Sequence, residues 1–195
     1  MFNIIKTDFY IMKGSLLFVA LYNILFPLMF HNTAVFVPIL ILMSIYVFIM
    51  GVFAVEERDG IQTLHKTLPV KAESIVGARY VEMLLIWLPA SALQYLTCIL
   101  LAKPSLWDGI YMLYSLTLAM FFLSFSIPVT YKYGQVKSRI PVMLIWIVGS
   151  VGISPLIIEG TGINVPILGI AAAVFAVLTI CSWRISTSIY KKTLL

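Results

Sequence analysis

The sequence predicts an all-α integral membrane protein with six transmembrane helices, an N-terminal interfacial helix and a cytoplasmic amphipathic helix between spans 2 and 3. Three observations lead there. Of 195 residues, 62% are hydrophobic and 11% charged, with a mean hydropathy of +1.05, whereas a soluble domain is about half apolar and about a quarter charged. Six apolar runs, at roughly 14–30, 34–55, 81–102, 109–130, 140–158 and 163–183, are each long enough to cross a bilayer as a helix. The basic residues flank these runs rather than interrupt them. Residues 1–195 therefore read as a single transmembrane domain. A soluble enzyme, a disulfide-stapled secreted domain and a nucleic-acid binder are all disfavoured, the last despite a net charge of +5.

Taken in order, residues 1–13 carry Phe2, Ile5, Phe9 and Met12 at helical spacing, with Asn3, Lys6, Tyr10 and Lys13 on the opposing side. This is the pattern of a helix lying in the interface. Asp8 falls on the apolar side and breaks the pattern, which keeps an irregular stub as the alternative. The run Gly14 to Phe30 follows two lysines but lacks a small-x-small cleavage site and is followed by further spans, so it reads as a retained span rather than a signal peptide. Pro27, Pro89 and Pro155 lie within or near the ends of runs, where neighbouring helices satisfy the backbone groups they free. They are expected to kink helices rather than end them.

Orientation follows from the basic residues, which collect on the cytoplasmic side of membrane proteins. With the N-terminus inside, the inner segments hold Lys6, Lys13, Arg58, Lys66, Lys71, Arg79, Lys132, Lys137, Arg139, Arg184, Lys191 and Lys192, and of the 13 basic residues only Lys103 is outside. Both termini are expected in the cytoplasm, and the loops near His31, Lys103 to Asp108 and Glu159 to Asn164 are expected to face outward. The two histidines, His31 and His65, then lie on opposite sides of the membrane, and Cys98 and Cys181 lie in apolar runs, so no metal site is expected.

The longest polar stretch, Glu56 to Tyr80, joins the second and third runs. Within it Ile61, Leu64 and Leu68 recur at i, i+3 and i+7, Glu57 and Asp59 suit a helix N-terminus, and Pro69 sets its end. The segment reads as an amphipathic helix on the membrane face, or else as a solvated connector packed on the bundle. The string E-x-x-x-G-x-x-x-x-x-x-x-L-P-V, with Glu56 or Glu57, Arg58, Gly60, Thr63, Leu64, Leu68, Pro69 and Val70, continues into Ile75, Val76, Arg79 and Tyr80. It resembles the first cytoplasmic loop of ABC-2-type transporter permeases, particularly short bacterial ones. The six-span layout with both ends inside is similar too, although Lys71-Ala72-Glu73 replaces the more usual Ser-Arg type step.

The resemblance implies a permease subunit in a bacterial cell membrane, paired with itself or a sister permease and with two cytoplasmic ABC ATPase subunits that bind the ATP and Mg²⁺. It also implies a coupling role for Glu56, Glu57, Arg58, Asp59, Gly60, Thr63, Leu64, Leu68 and Pro69, and a smaller second contact in the loop Tyr131 to Arg139, at Lys132, Lys137 and Arg139. The plainer reading of that second loop is a topogenic basic loop.

What is missing from the sequence points the same way. No G-x-x-x-x-G-K-[ST] occurs, so the chain has no phosphate loop of its own. The runs carry no ionisable residue near their midpoints: Glu82, Asp108 and Glu159 fall at run ends, and Asn23 and Gln94 are the most polar groups inside. Ion-coupled carriers usually mark their path with such groups. Glu56-Glu57-Arg58 lacks the spacing of a glutamate-based membrane protease, since Ile61 stands where a base is needed. No catalytic residue is expected. A non-transporting membrane subunit, with an immunity or sensory role, is the alternative to a working permease.

Small residues at Gly149, Ser150, Gly152 and Ser154, and at Gly169, Ala172, Ala173 and Ala176, allow helices to approach closely, within one protomer or across a self-association seam. Tyr22, Tyr46, Tyr95, Tyr111 and Tyr114 offer polar tips on apolar bodies for a pathway surface. That suits an amphipathic cargo such as a peptide, toxin or antimicrobial compound.

Overall fold

A computed structural model of the chain describes residues 2–29, 36–58, 71–100, 109–153, 158–159 and 162–194. It is built of helices: α1 (Phe2–Ile11), α2 (Lys13–Met29), α3 (Phe36–Arg58), α4 (Ala72–Leu100), α5 (Gly109–Ile147) and α6 (Val165–Leu194). A π-helical turn, Val148–Ile153, extends α5. Two-residue strands β1 (Ile158–Glu159) and β2 (Gly162–Ile163) pair antiparallel, with Ile158 opposite Ile163, in a stretch expected to be an outward loop.

Helix α3 is the centre of the bundle. It is apolar around its whole circumference, which marks a helix buried on all sides, and Ile41, Leu42, Ile45, Phe48 and Ile49 are fully buried. They pack with Ile75, Val76 and Ile86 of α4 and with Leu118, Phe122, Leu123 and Ile127 of α5. Helix α6 packs most extensively on α5, yet Ile170, Val174, Val177 and Ile180 on its other side are exposed. A helix that shows apolar side chains outward is suited to lipid, whose tails are as apolar as leucine. The multi-pass membrane character read from composition is therefore also the character of the folded chain.

Helices α1 and α2 meet at 71°. The bend seats Met12 in the core against α3, where a Cβ on Gly51 would collide with the Met12 side chain. Phe9 stacks on Phe48 with ring centroids 4.9 Å apart, whereas Phe2, expected on the same side, is exposed. The two polar groups expected inside the spans do meet: Gln94 Nε2 donates to Asn23 Oδ1 at 2.7 Å, and Asn23 Nδ2 donates to Ser44 Oγ at 2.7 Å. This chain ties α2, α3 and α4 with hydrogen bonds that water cannot supply at that depth.

Among the described residues, four helices are long and apolar enough to cross a membrane, or five if the bent pair α1 and α2 counts as one span. The six expected spans are not reached on this measure, for two reasons. Helix α2 has 17 residues. The fourth and fifth runs are joined in one helical stretch, Gly109–Val151, of 43 residues, which at 1.5 Å per residue is about 65 Å, roughly twice the hydrocarbon thickness. The loop expected at Tyr131 to Arg139 is thus helical, apart from Gly134 at φ 77°, ψ 165°. The third run also begins earlier than expected: α4 starts at Ala72, which brings Arg79 inside it and moves Glu82 away from the helix end.

Candidate functional site

The residues singled out in the sequence fall on the last turn of α3, in the segment that follows it, and around Gly134 in α5. Asp59, Gly60, Thr63, Leu64, Leu68 and Pro69, and with them the amphipathic helix expected there, lie outside the described residues. Glu56, Glu57 and Arg58 are described, and they separate by direction. Glu57 and Arg58 are exposed, while Glu56 is buried.

Glu57 reaches across to α5. The helical stretch that resumes after Gly134 begins with an amide that has no acceptor in its own helix, and Gln135 N donates to Glu57 Oε2 at 2.5 Å. A carboxylate there acts as an N-cap and meets the positive end of the helix dipole. Gln135 in turn is held from within α5: Arg139 Nε donates to Gln135 Oε1 at 3.1 Å, and Ser138 Oγ donates to Gln135 O at 3.1 Å. Between the two elements lies a groove of about 340 Å³ lined by Ala54, Val55, Glu57, Arg58, Gln135, Val136 and Arg139. Arg139 therefore joins Glu57 and Arg58 in one place. Lys132 and Lys137 are exposed but do not line the groove, and Lys132 Nζ lies 5.1 Å from the centre of the Tyr133 ring.

Directly inward from Glu57, its neighbour Glu56 belongs to a buried ion cluster that sequence reasoning missed. Arg79 of α4 is fully buried. Its guanidinium donates to Asp8 Oδ2 of α1 at 2.6 Å, to Glu82 Oε1 and Oε2 at 2.8 Å, and to Glu56 Oε1 of α3. Arg79 also sits 5.8 Å from the centre of the Phe53 ring, and its Nε has no hydrogen-bond partner among the described residues. Three carboxylates from three helices thus converge on one cation. Asp8, which broke the apolar pattern of α1, ties α1 to Arg79 of α4. The cluster lies in the first half of α4 rather than at its middle, so Glu82 is near the end of its apolar run as expected, while its burial with Arg79 was not foreseen.

The tyrosines offered as a pathway surface do not share one environment, since Tyr114 is in the core and Tyr95 is half exposed. Of the small residues, Gly149 allows close packing inside the protomer, because a Cβ there would lie 3.0 Å from the Phe121 ring, while nothing approaches Gly169 within 4 Å. Among the described residues, no group of three or more His, Cys, Asp or Glu side chains is placed to hold a metal ion.

A family model described as "ABC-2 family transporter protein" matches residues 3–191. No curated protein and no solved structure matched the chain.

Proposed function

We propose, from the premise that the chain belongs to the ABC-2 transporter family, that it is the permease subunit of an ATP-driven exporter and takes the stroke of separate cytoplasmic ATPases at the end of α3. In this reading the chain crosses a bacterial cell membrane six times with both termini inside, and it pairs with a second copy or a sister permease. ATP and Mg²⁺ are bound by the ATPase subunits, and the cargo is an amphipathic peptide, toxin or antimicrobial compound.

The observation that carries the reading is the groove that gathers Glu57, Arg58 and Arg139. Two stretches 78 residues apart, read separately in the sequence, are joined there by the Glu57 cap on Gln135. A partner seated in this groove would press on the end of α3 and on the break in α5 together. Displacement of α3 would pass through Glu56 and Arg79 to α4 and α1, so the buried cluster gives the groove a rigid connection to three helices.

The test reverses Arg58 and Arg139 together (Arg58→Glu/Arg139→Glu) and leaves the Glu57 cap in place. The protein should still insert with its helicity intact, while recovery of ATPase with the tagged permease falls by about tenfold or more, as loss of close charge pairs at an interface does. Stimulation of ATP turnover by an amphipathic cationic peptide should fall with it. Undiminished recovery and stimulation would remove the coupling role of the groove.

A further inference from the structure

On the side of α4 opposite the core, a second pair of cavities adjoins α6. One, of about 500 Å³, is lined by Ser74, Gly77, Tyr80, Val81, Thr179 and Ile180. The other, of about 440 Å³, is lined by Arg184, Thr187, Ser188 and Lys191. Glu73 and Trp183 line both, so the two are one continuous groove with an apolar half and a polar half. Each half is within the roughly 300–1,000 Å³ of ordinary small-ligand sites.

The chemistry of the two halves matches an amphiphile. In the apolar half, where Ser74 is also on the wall, the Tyr80 and Thr179 hydroxyls are engaged inside the protein: Tyr80 Oη is 2.8 Å from Ser182 Oγ, and Thr179 Oγ1 donates to Phe175 O at 2.7 Å. Gly77, Val81 and Ile180 make the rest of this half hydrocarbon, with Ile180 59% exposed. In the polar half, Arg184, Thr187, Ser188 and Lys191 recur at i, i+3, i+4 and i+7 and form one stripe of α6. Glu73 is the single carboxylate among the described lining residues, and Lys191 Nζ donates to it at 2.8 Å. That pair is exposed on both sides, so it holds Lys191 only weakly. Among the described residues the cations outnumber the carboxylates here, with Lys71 also acting on Glu73, and a net positive site complements a phosphodiester. The depth also agrees: from Val165 to Trp183 α6 rises about 27 Å, close to the hydrocarbon thickness, which sets Trp183 at the interface and Arg184 just beyond it.

We propose that the groove between α4 and α6 binds an anionic glycerophospholipid, its phosphate held by Arg184 and Lys191 and one acyl chain lying along Gly77, Tyr80 and Ile180. Phosphatidylglycerol fits the charge, and its glycerol hydroxyls can donate to Glu73. This site is separate from the groove at the end of α3 and does not depend on which leaflet that end of the bundle faces.

The test reconstitutes the full chain in bilayers of equal phosphatidylglycerol and phosphatidylcholine, extracts it in mild detergent and counts the retained lipids by native mass spectrometry. The wild-type chain should retain phosphatidylglycerol in preference. Arg184→Gln/Lys191→Gln should lower that retention about tenfold or more, as the loss of two basic contacts to anionic lipid predicts, and Gly77→Leu, which fills the apolar half, should lower retention of both lipids. Circular dichroism confirms that each variant is folded. Equal retention of the two lipids by the wild type, or unchanged phosphatidylglycerol in the double variant, would overturn the proposal. So would a Gly77→Leu variant that loses self-association while keeping its lipid, because the groove would then be a seam between two copies.

Discussion

Arg79 is surrounded by Asp8, Glu56 and Glu82 with no exposed surface of its own. Breaking a buried ion group by removing one side leaves the other uncompensated, at about 3–5 kcal/mol. Arg79→Gln removes the only cation and leaves three carboxylates facing one another, so it should lower the thermal midpoint of the purified protein sharply and reduce its yield in membranes. Asp8→Asn is a milder change, since Arg79 keeps Glu56 and Glu82. It should leave the bundle folded and selectively raise proteolytic cleavage near residues 1–13, because the ionic tie from Asp8 to Arg79 between α1 and α4 is gone. An equal loss of stability in the two variants would mean that the cluster does not rank its partners this way. The sequence carried one trace of this arrangement, an acidic residue on the apolar side of α1. The rest was not legible: Arg79 and Glu82 read as the charged edge of a span, and the groups that make their burial tolerable stand 71 and 23 positions from Arg79, on other helices.

The same limit operates at the scale of elements. Apolar runs located the helices, because burial in the bundle and exposure to lipid both demand apolar side chains. The stretch Tyr131 to Arg139, with three cations and a glycine, has the composition of a loop, and only a tertiary contact makes it otherwise. Gly134 changes the chain direction within one residue, and Glu57 supplies the acceptor that lets helix resume at Gln135. A φ of 77° with ψ of 165° is a region essentially reserved for glycine, costing other residues about 1–3 kcal/mol. A Cβ at Gly134 would meet Glu57 Oε2 at an ordinary 3.7 Å, so the cost of Gly134→Ala is backbone strain and should fall in that range by chemical denaturation. Glu57→Ala should cost about 0.5–2 kcal/mol as a lost cap, and Glu57→Gln, which keeps an acceptor oxygen, should cost less. Were Glu57→Ala neutral, the cap would hold nothing in place. The candidate coupling residues were partly legible for the same reason: Glu57, Arg58 and Arg139 are charged and exposed, whereas Glu56, one position away, turns inward to Arg79.

At the scale of the whole molecule, four contacts define one end of the bundle. Asp8 and Glu56 meet Arg79, Gln135 meets Glu57, and Lys191 meets Glu73. The last turn of α1, the end of α3, the start of α4, the break in α5 and the end of α6 are therefore on one side, and that side carries Arg58, Lys71, Lys132, Lys137, Arg139, Arg184, Lys191 and Lys192. The positive-inside rule predicts that such an end faces the cytoplasm. Cysteine labelling tests this in intact cells, after Cys98→Ala and Cys181→Ser remove the native thiols. Lys137→Cys is a better reporter than a cysteine at Gln135, because Lys137 is exposed and outside the groove, while Gln135 is buried. It should stay unlabelled by an impermeant maleimide until the membrane is permeabilised. Gly160→Cys, in the segment between β1 and β2, should be labelled at once. Labelling of Lys137→Cys in intact cells, with Gly160→Cys protected, would place the basic end outside and, with it, the groove proposed to receive the ATPase.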